Sequence, residues 1–200
     1  MTDPFATLSI DDGVALDRLH RRLADAAADA GLLDIAYRTI DTPIGSLLLA
    51  ATERGLVRVG FDSEGHDRVL ERLAADVSPR ILAAPKRLDR VAHELDEYFA
   101  RRRDTFDVPL DLRLSHGFRQ TVLNHLRDIA YGTTASYAAI AQASGHPRAV
   151  RAVGSACATN PVPIVVPCHR VVRSDGSLGQ YAGGPAVKAA LLALEGARAA

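Results

Sequence analysis

Residues 165–172 read Val-Val-Pro-Cys-His-Arg-Val-Val and set the thiol of Cys168 beside the imidazole of His169 inside an apolar run. A cysteine attacks carbon as its thiolate, and at an ordinary pKa of about 8.5 only a few per cent is ionised near neutral pH. A neighbouring base must take the proton, and His169 has the right chemistry. In an extended chain successive side chains point to opposite faces, so a direct Cys168–His169 bond would need a local turn; a bridging water meets the geometry without one. An imidazole that accepts a proton is best held by a carboxylate on its other nitrogen. Beyond residue 114 the acids are Asp128, Asp175 and Glu195. Glu195 closes an apolar helix, and by spacing alone it reads as a carboxylate at a solvated helix end.

Other residues admit two readings each. Cys157 reads as a small buried apolar side chain rather than a second reactive thiol. Tyr137 could be core packing with its hydroxyl satisfied, and Asn160 a helix terminator. Arg148 and Arg151, one turn apart on an expected helix, suit either a solvated face or a nucleic-acid contact. With two cysteines in the chain, no disulfide framework is implied and a reducing compartment is expected. The seven histidines lack the paired Cys/His spacing of a zinc module, so neither a metal site nor a cofactor is expected.

These side chains need a frame, and 200 residues that are 48% hydrophobic can supply one without staples. Leu16, Leu19, Leu23 and Ala26 recur at helical spacing over residues 14–30, with Gly31 as the stop. That helix is expected to pack its apolar face on the following lobe. LDIAYRTI, SLLLAAT and LVRVGF are β-type runs separated by Asp41-Thr42-Pro43-Ile44-Gly45 and Glu53-Arg54-Gly55, which predicts an antiparallel meander. Helices are expected over 63–76 and 85–103, the second burying Leu88, Val91, Leu95 and Phe99. FDVPLDLR then reads as an extended connection, with a boundary near Ser115.

After it, GFRQTVLNHLRDI predicts a helix, and residues 135–160 predict helix, Ser144-Gly145 turn, helix, with Pro147 in the first turn of the second. IVVPCHRVV reads as a β-branched extended run, and AVKAALLALEG as the last helix. The expected fold is α/β (α+β): a helical extension over 1–30, a small lobe with an antiparallel sheet over 31–114, and a mostly helical lobe over 115–200. Residues 1–114 hold 16 Lys+Arg against 21 Asp+Glu, and residues 115–200 hold 8 against 3, which together make the 24 and 24 of the whole chain. A polyanion would therefore meet the C-terminal lobe. The N-terminus carries acids where a secretory signal carries bases, and no apolar run reaches eighteen residues, so a cytoplasmic protein without a membrane partner is expected.

In chain order, Arg151-Ala152-Val153-Gly154, Asn160-Pro161, Ile164, Pro167-Cys168-His169-Arg170-Val171-Val172, Tyr181 with Gly183-Gly184, Lys188 and Glu195-Gly196 resemble the O6-alkylguanine-DNA alkyltransferases. The similarity is tight over residues 131–196 and looser from residue 33, where Thr42-Pro43-Ile44-Gly45 and Leu95-Asp96-Glu97-Tyr98-Phe99 match the N-terminal lobe of bacterial members. Departures fall on scaffold positions: Phe118-Arg119-Gln120 and Leu123 replace a Phe-Gln pair and a tryptophan, Gly132-Thr133-Thr134 replaces a Gly-Glu-Thr-like turn, and Ala182 stands where some relatives have serine.

The resemblance implies direct repair of double-stranded DNA that carries O6-alkylguanine, with the alkyl group kept on Cys168 after one turnover. It implies that His169 deprotonates Cys168 through a water, Glu195 orients His169, Asn160 stabilises the active-site turn and Tyr137 assists departure of guanine. Val171, Tyr181 and the backbone of Ala182 would form the base pocket. The target atom lies inside a stack, so the nucleotide must be flipped out. Arg151 would fill its place, while Arg148 and the small residues Ala149, Ala152, Gly154 and Ser155 let the second helix enter a minor groove. A monomer with no obligate protein partner is expected. The alternative is a damage-recognition protein of the same family that binds without transfer, and its members replace the nucleophile that this chain retains.

Overall fold

The structure, a computed structural model, describes residues 12–197. The acid-rich N-terminal stretch and the first residues of the expected extension lie outside the described residues. Strands β1 (Ile35–Thr42), β2 (Gly45–Thr52) and β3 (Gly55–Phe61) form the expected antiparallel meander. The β1–β2 turn is tight because Thr42 pairs with Gly45, and the Thr42 hydroxyl donates to the Gly45 carbonyl at 2.6 Å. Gly45, at φ 104°, supplies a backbone shape that side chains resist. Sequence reasoning missed β4 (Ile81–Ala83), which pairs parallel with β1 and gives the order β3-β2-β1-β4. Three residues carry too little alternation to be read as a strand.

The central strand β2 is buried on both faces. Leu47 and Leu49 face a cluster with Leu88, Leu95 and Tyr98, whereas Leu48 and Ala50 face Val69 and Leu73. The first set comes from a 3₁₀ turn at Pro85–Leu88 and helix α3 (Asp89–Phe99), the second from α2 (His66–Asp76). The expected extended connection runs beside β3: Leu56 N–H donates to Pro109 O at 2.8 Å and Asp111 N–H to Leu56 O at 2.9 Å. Gly55 permits this approach, since a Cβ there would collide with the Pro109 backbone.

The leading helix α1 (Asp12–Asp29) corrects one expectation. Leu16, Leu19 and Leu23 point to solvent at 53–59% exposure, and Ala26 is exposed as well. The helix docks instead through Ala24 and Ala27 onto Leu33, Ala36 and Ala84, because an alanine edge allows closer approach than the leucine stripe. 

The remaining helices are α4 (Phe118–Leu126), α5 (Tyr137–Ala143), α6 (Val150–Ala158) and α7 (Gly184–Leu194). Ser136 caps α5 by accepting from Ala139 N–H at 3.1 Å. Two-residue strands β5 (Ala135–Ser136) and β6 (Val171–Val172) pair in parallel and tie the start of α5 to the Cys168 segment. One buried cluster joins Leu47, Leu95 and Tyr98 to Val122, Val153, Cys168 and Leu191, so the core runs without a break from the sheet to the reactive thiol. Among the described residues no helix is long and apolar enough to cross a membrane.

Candidate active site

The segment between α6 and β6 is built around Asn160. Its Nδ2–H donates to Val166 O at 2.8 Å and to Cys168 Sγ at 3.1 Å, while its Oδ1 accepts from Val162 N–H at 3.1 Å. Asn160 is thus more than a helix terminator: one amide closes the loop and touches the sulfur. Within the loop Ile164 sits at φ 75°, a left-handed conformation that costs a β-branched residue dearly. From outside, Val59 N–H at 2.8 Å and Arg58 Nη1 at 3.2 Å both donate to Pro161 O, so β3 grips the same loop.

The run 164–172 is not the extended strand that its composition predicts. Cys168–Arg170 forms a 3₁₀ turn after Pro167, and only Val171 and Val172 are extended. Pro167 removes a donor and bends the chain, and local β-propensity yields to it. Opposite-face geometry therefore does not apply to Cys168 and His169.

His169 is fully buried, and its Nε2 lies 2.8 Å from Glu195 Oε1. Glu195 is no solvated helix end. It is buried beyond α7, with Arg170 forking onto both oxygens at 2.9 and 3.0 Å, Tyr98 Oη donating to Oε1 at 2.7 Å and Gly132 N–H to Oε2 at 3.3 Å. Arg170 also donates to Ile129 O at 2.6 Å and lies over the Tyr131 ring. Burial alone would raise the Glu195 pKa, but the bonds from His169, Arg170 and Tyr98 outweigh it and hold the carboxyl down at about 2. An ionised carboxylate only accepts, so Nε2 carries the imidazole proton and Nδ1 offers the lone pair. Nδ1 is buried and has no partner among the described residues. Burial, helped by the Arg170 and Lys188 charges, pushes the imidazole below its ordinary range against the pull of Glu195.

Cys168 is 1% exposed. Burial pushes its thiol up to about 11, although the Asn160 bond and the Lys188 charge pull the other way. The resting side chain is a protonated thiol and the neighbouring imidazole is neutral, so deprotonation needs a base even more than the sequence reading expected. Lys188, fully buried, donates to Val171 O and lies 5.8 Å from the centre of the Tyr137 ring. Tyr137 is half-buried and its hydroxyl is pushed up to about 12 by burial, so it remains a proton donor at neutral pH. The segment after β6 closes over it, since a Cβ on Gly179 would come within 2.7 Å of Tyr137 Oη.

The three residues expected to form the base pocket do not share one surrounding. Val171 is fully buried, Tyr181 packs edge-on against His169 at 6.3 Å and against Phe61 at 5.6 Å, and the Tyr181 hydroxyl is buried without a partner among the described residues. Ala182 is half-buried and lines, with Asn160 and Arg58, a cavity of about 270 Å³. On α6, Arg151, Ala152 and Ser155 are exposed and Gly154 half-exposed with open space beside it, while Val153, Ala156 and Cys157 face the core. Arg148 is exposed but lies with Pro147 in the turn before α6, which starts at Val150; it therefore does not share a helix face with Arg151.

Sequence reasoning gave no role to Tyr98, Arg170 or Phe61. The first two differ in chain position from Glu195 by 97 and 25 residues, and only tertiary packing joins them. Phe61 packs on Tyr181, and a Cβ added at Gly183 would meet its ring at 3.0 Å. The available signal was a tyrosine three residues after Leu95 on the buried face of α3, where a leucine would have filled the space.

The chain is similar to known proteins along most of its length. Residues 117–197 match the family model for the 6-O-methylguanine DNA methyltransferase DNA binding domain, and residues 35–112 match that for the ribonuclease-like domain. The methylated-DNA–protein-cysteine methyltransferase of Mycolicibacterium paratuberculosis is 42% identical over 161 residues, covering 80% of this chain and 92% of that one. The mouse protein of the same name is 38% identical over 171 residues, covering 80% and 81%. The crystal structure of Mycobacterium tuberculosis OGT in complex with DNA is similar at TM-score 0.69 and 40% identity, covering 82% of this chain and 96% of that one.

Proposed function

The chain belongs to the 6-O-methylguanine DNA methyltransferase family, and on that premise we propose how its residues repair DNA by moving an alkyl group from O6 of guanine to Cys168. The observation that carries the assignment is the pair of buried contacts Asn160–Cys168 and His169–Glu195, in a chain whose α6 presents an exposed face that includes small residues. The α6 face enters the minor groove, the damaged nucleotide flips out, and Arg151 occupies its place in the stack. Arg148, in the turn before α6, reaches the backbone. The base slides between Val171, Tyr181 and the Ala182 backbone once the segment over Tyr137 moves aside.

His169 Nδ1 then takes the thiol proton through a water, with Glu195 stabilising the imidazolium that forms. The sulfur attacks the alkyl carbon: an S–C bond forms, the O6–C bond breaks, and its electron pair leaves with guanine. Tyr137 donates toward N3 of the departing base, and the proton taken from Cys168 returns to it, so the balance closes without a cofactor. No group restores the thiol, and each molecule acts once. Double-stranded DNA bearing O6-alkylguanine is the substrate, the protein works as a cytoplasmic monomer, and the DNA-facing unit is residues 115–200, after a lobe over 31–114.

Intact-protein mass spectrometry after incubation with an O6-methylguanine oligonucleotide tests this reading. One added methyl is expected on wild type and none on Cys168→Ala. Binding to the damaged duplex with Cys168 unmodified at saturation would replace transfer by the binding-only alternative.

A further inference from the structure

Tyr98 lies in the last turn of α3, on the sheet side of the molecule, yet its hydroxyl is spent on the far side. It donates to Glu195 Oε1 at 2.7 Å, the same oxygen that His169 Nε2 approaches at 2.8 Å. The transfer described above leaves that hydroxyl without a task. The ring has apolar company enough in Phe99, Phe106 and Tyr131, at centroid distances of 5.4, 5.3 and 6.1 Å. A phenylalanine would satisfy that cluster, whereas a buried hydroxyl costs desolvation unless it finds a strong acceptor.

We propose that Tyr98 is a positioning residue for alkyl transfer, one that reaches across from the N-terminal lobe, shares Glu195 Oε1 with His169, and so sets how hard the carboxylate pulls on the imidazole proton. The inference rests on the Cys168–His169–Glu195 reading. Oε1 also accepts from Arg170 Nη2 at 3.0 Å, and a carboxylate oxygen that loses one of three donors becomes a better acceptor for the two that remain, so the imidazole then holds its proton more tightly. The remaining charges around the pair stay in place. Arg170 and Gly132 N–H hold Glu195, Tyr131 packs beside Arg170, and Lys188 and Tyr181 flank His169. Arg101, Arg102, Arg103 and Asp104 line a cavity of about 590 Å³ that reaches Glu195 from the solvent side. Because the Arg170 fork still fixes the carboxylate, loss of the Tyr98 hydroxyl acts on proton affinity more than on placement.

The test titrates His169 by its ring resonances and Cys168 by thiolate absorbance. It uses a Cys157→Ala background, with Tyr98→Phe, Glu195→Gln and the double variant. Tyr98→Phe is expected to raise the imidazole midpoint by about half a unit to one unit and to lower the thiolate midpoint. In the Glu195→Gln background the same substitution should move neither. If Glu195→Gln shifts the midpoints but Tyr98→Phe does not, Tyr98 only packs and the inference falls while the relay stands. Midpoints unmoved by Glu195→Gln overturn the relay and the inference together. Should Tyr98→Phe fail to fold, 3-fluorotyrosine at position 98 keeps the shape and strengthens the donor. Its imidazole midpoint must then fall, and a rise or no change refutes the proposal.

Discussion

The sheet half and the thiol half of the molecule treat charge in opposite ways. Around the sheet, acids meet cations at the surface, as in Arg38–Asp89, Arg80–Asp34 and Lys86–Asp25. Even the buried Glu94 and Asp111 pair with arginines, Arg90 and Arg113, that stay 58% and 35% exposed. Such pairs add about 0–1 kcal/mol each. Beyond α6, His169, Arg170 and Glu195 form a sealed cluster with side chains 0–6% exposed. Burying charge costs several kcal/mol per ion before pairing returns it, so a sealed cluster is a poor way to gain stability. It is a good way to hold a proton path fixed, and its place beside Cys168 says which use applies. The sheet half still takes part: Phe61, Arg58 and Tyr98 reach across to Tyr181, Pro161 and Glu195.

Breaking the sealed cluster should have the largest effect. Glu195→Ala leaves Arg170 buried without its counter-charge and is expected to cost about 3–5 kcal/mol in urea unfolding; a loss under about 1 kcal/mol would make the cluster equivalent to the surface pairs. Acid does the same by titration. The unfolded chain protonates His169 near 6.5 while the folded imidazole resists, so stability begins to fall just below neutrality. Glu195, ordinarily near 4.5 and held at about 2, adds a second loss as pH drops between those values. Urea midpoints should fall in both ranges for wild type, and Glu195→Gln should shrink the lower step to what Asp34, Glu97, Asp111 and Asp175, also held below their ordinary values, supply.

The seam between the halves should respond more mildly. A methyl on Gly183 would sit 3.0 Å from the Phe61 ring, and Gly183→Ala is expected to cost about 1–3 kcal/mol by overpacking. Phe61→Leu in the same chain should recover part of it, and additive losses would show that the two do not press on each other. At the surface of α1, Leu19→Gln should change stability by no more than about 0.5 kcal/mol, since Leu19 is 57% exposed. A larger loss in thermal melts would mean that this face is covered in solution.

The elements with strong local signals could be read from the chain: the meander between its turns, the helix pair around Ser144-Gly145, and α7 up to Glu195. The Cys168–His169 pair was visible because two reactive types adjoin in an apolar run. The Glu195 role came from family likeness, as spacing alone favoured the solvated reading. Hidden were features that only tertiary structure decides. β4 exists because β1 offers an edge, and the turn at Cys168 because Pro167 and Asn160 impose it. Tyr98 meets Glu195 because α3 packs beside α7's end. The leucine stripe of α1 misled for the same reason, since a periodic face tells which side is apolar but not whether a partner covers it.

Ile164 and its positive φ have a consequence for how the protein assembles. No local preference selects that backbone state in a β-branched residue, so the loop cannot form in isolation and nucleate its surroundings. It takes shape when Asn160 has closed it from within and β3 has seized Pro161 from without. Native-state hydrogen exchange should find the Val162 and Val166 amides opening at lower free energy than those of β2, and equal protection would refute this order. On this account the segment that bears the sulfur orders after the sheet on refolding and loosens before it on warming.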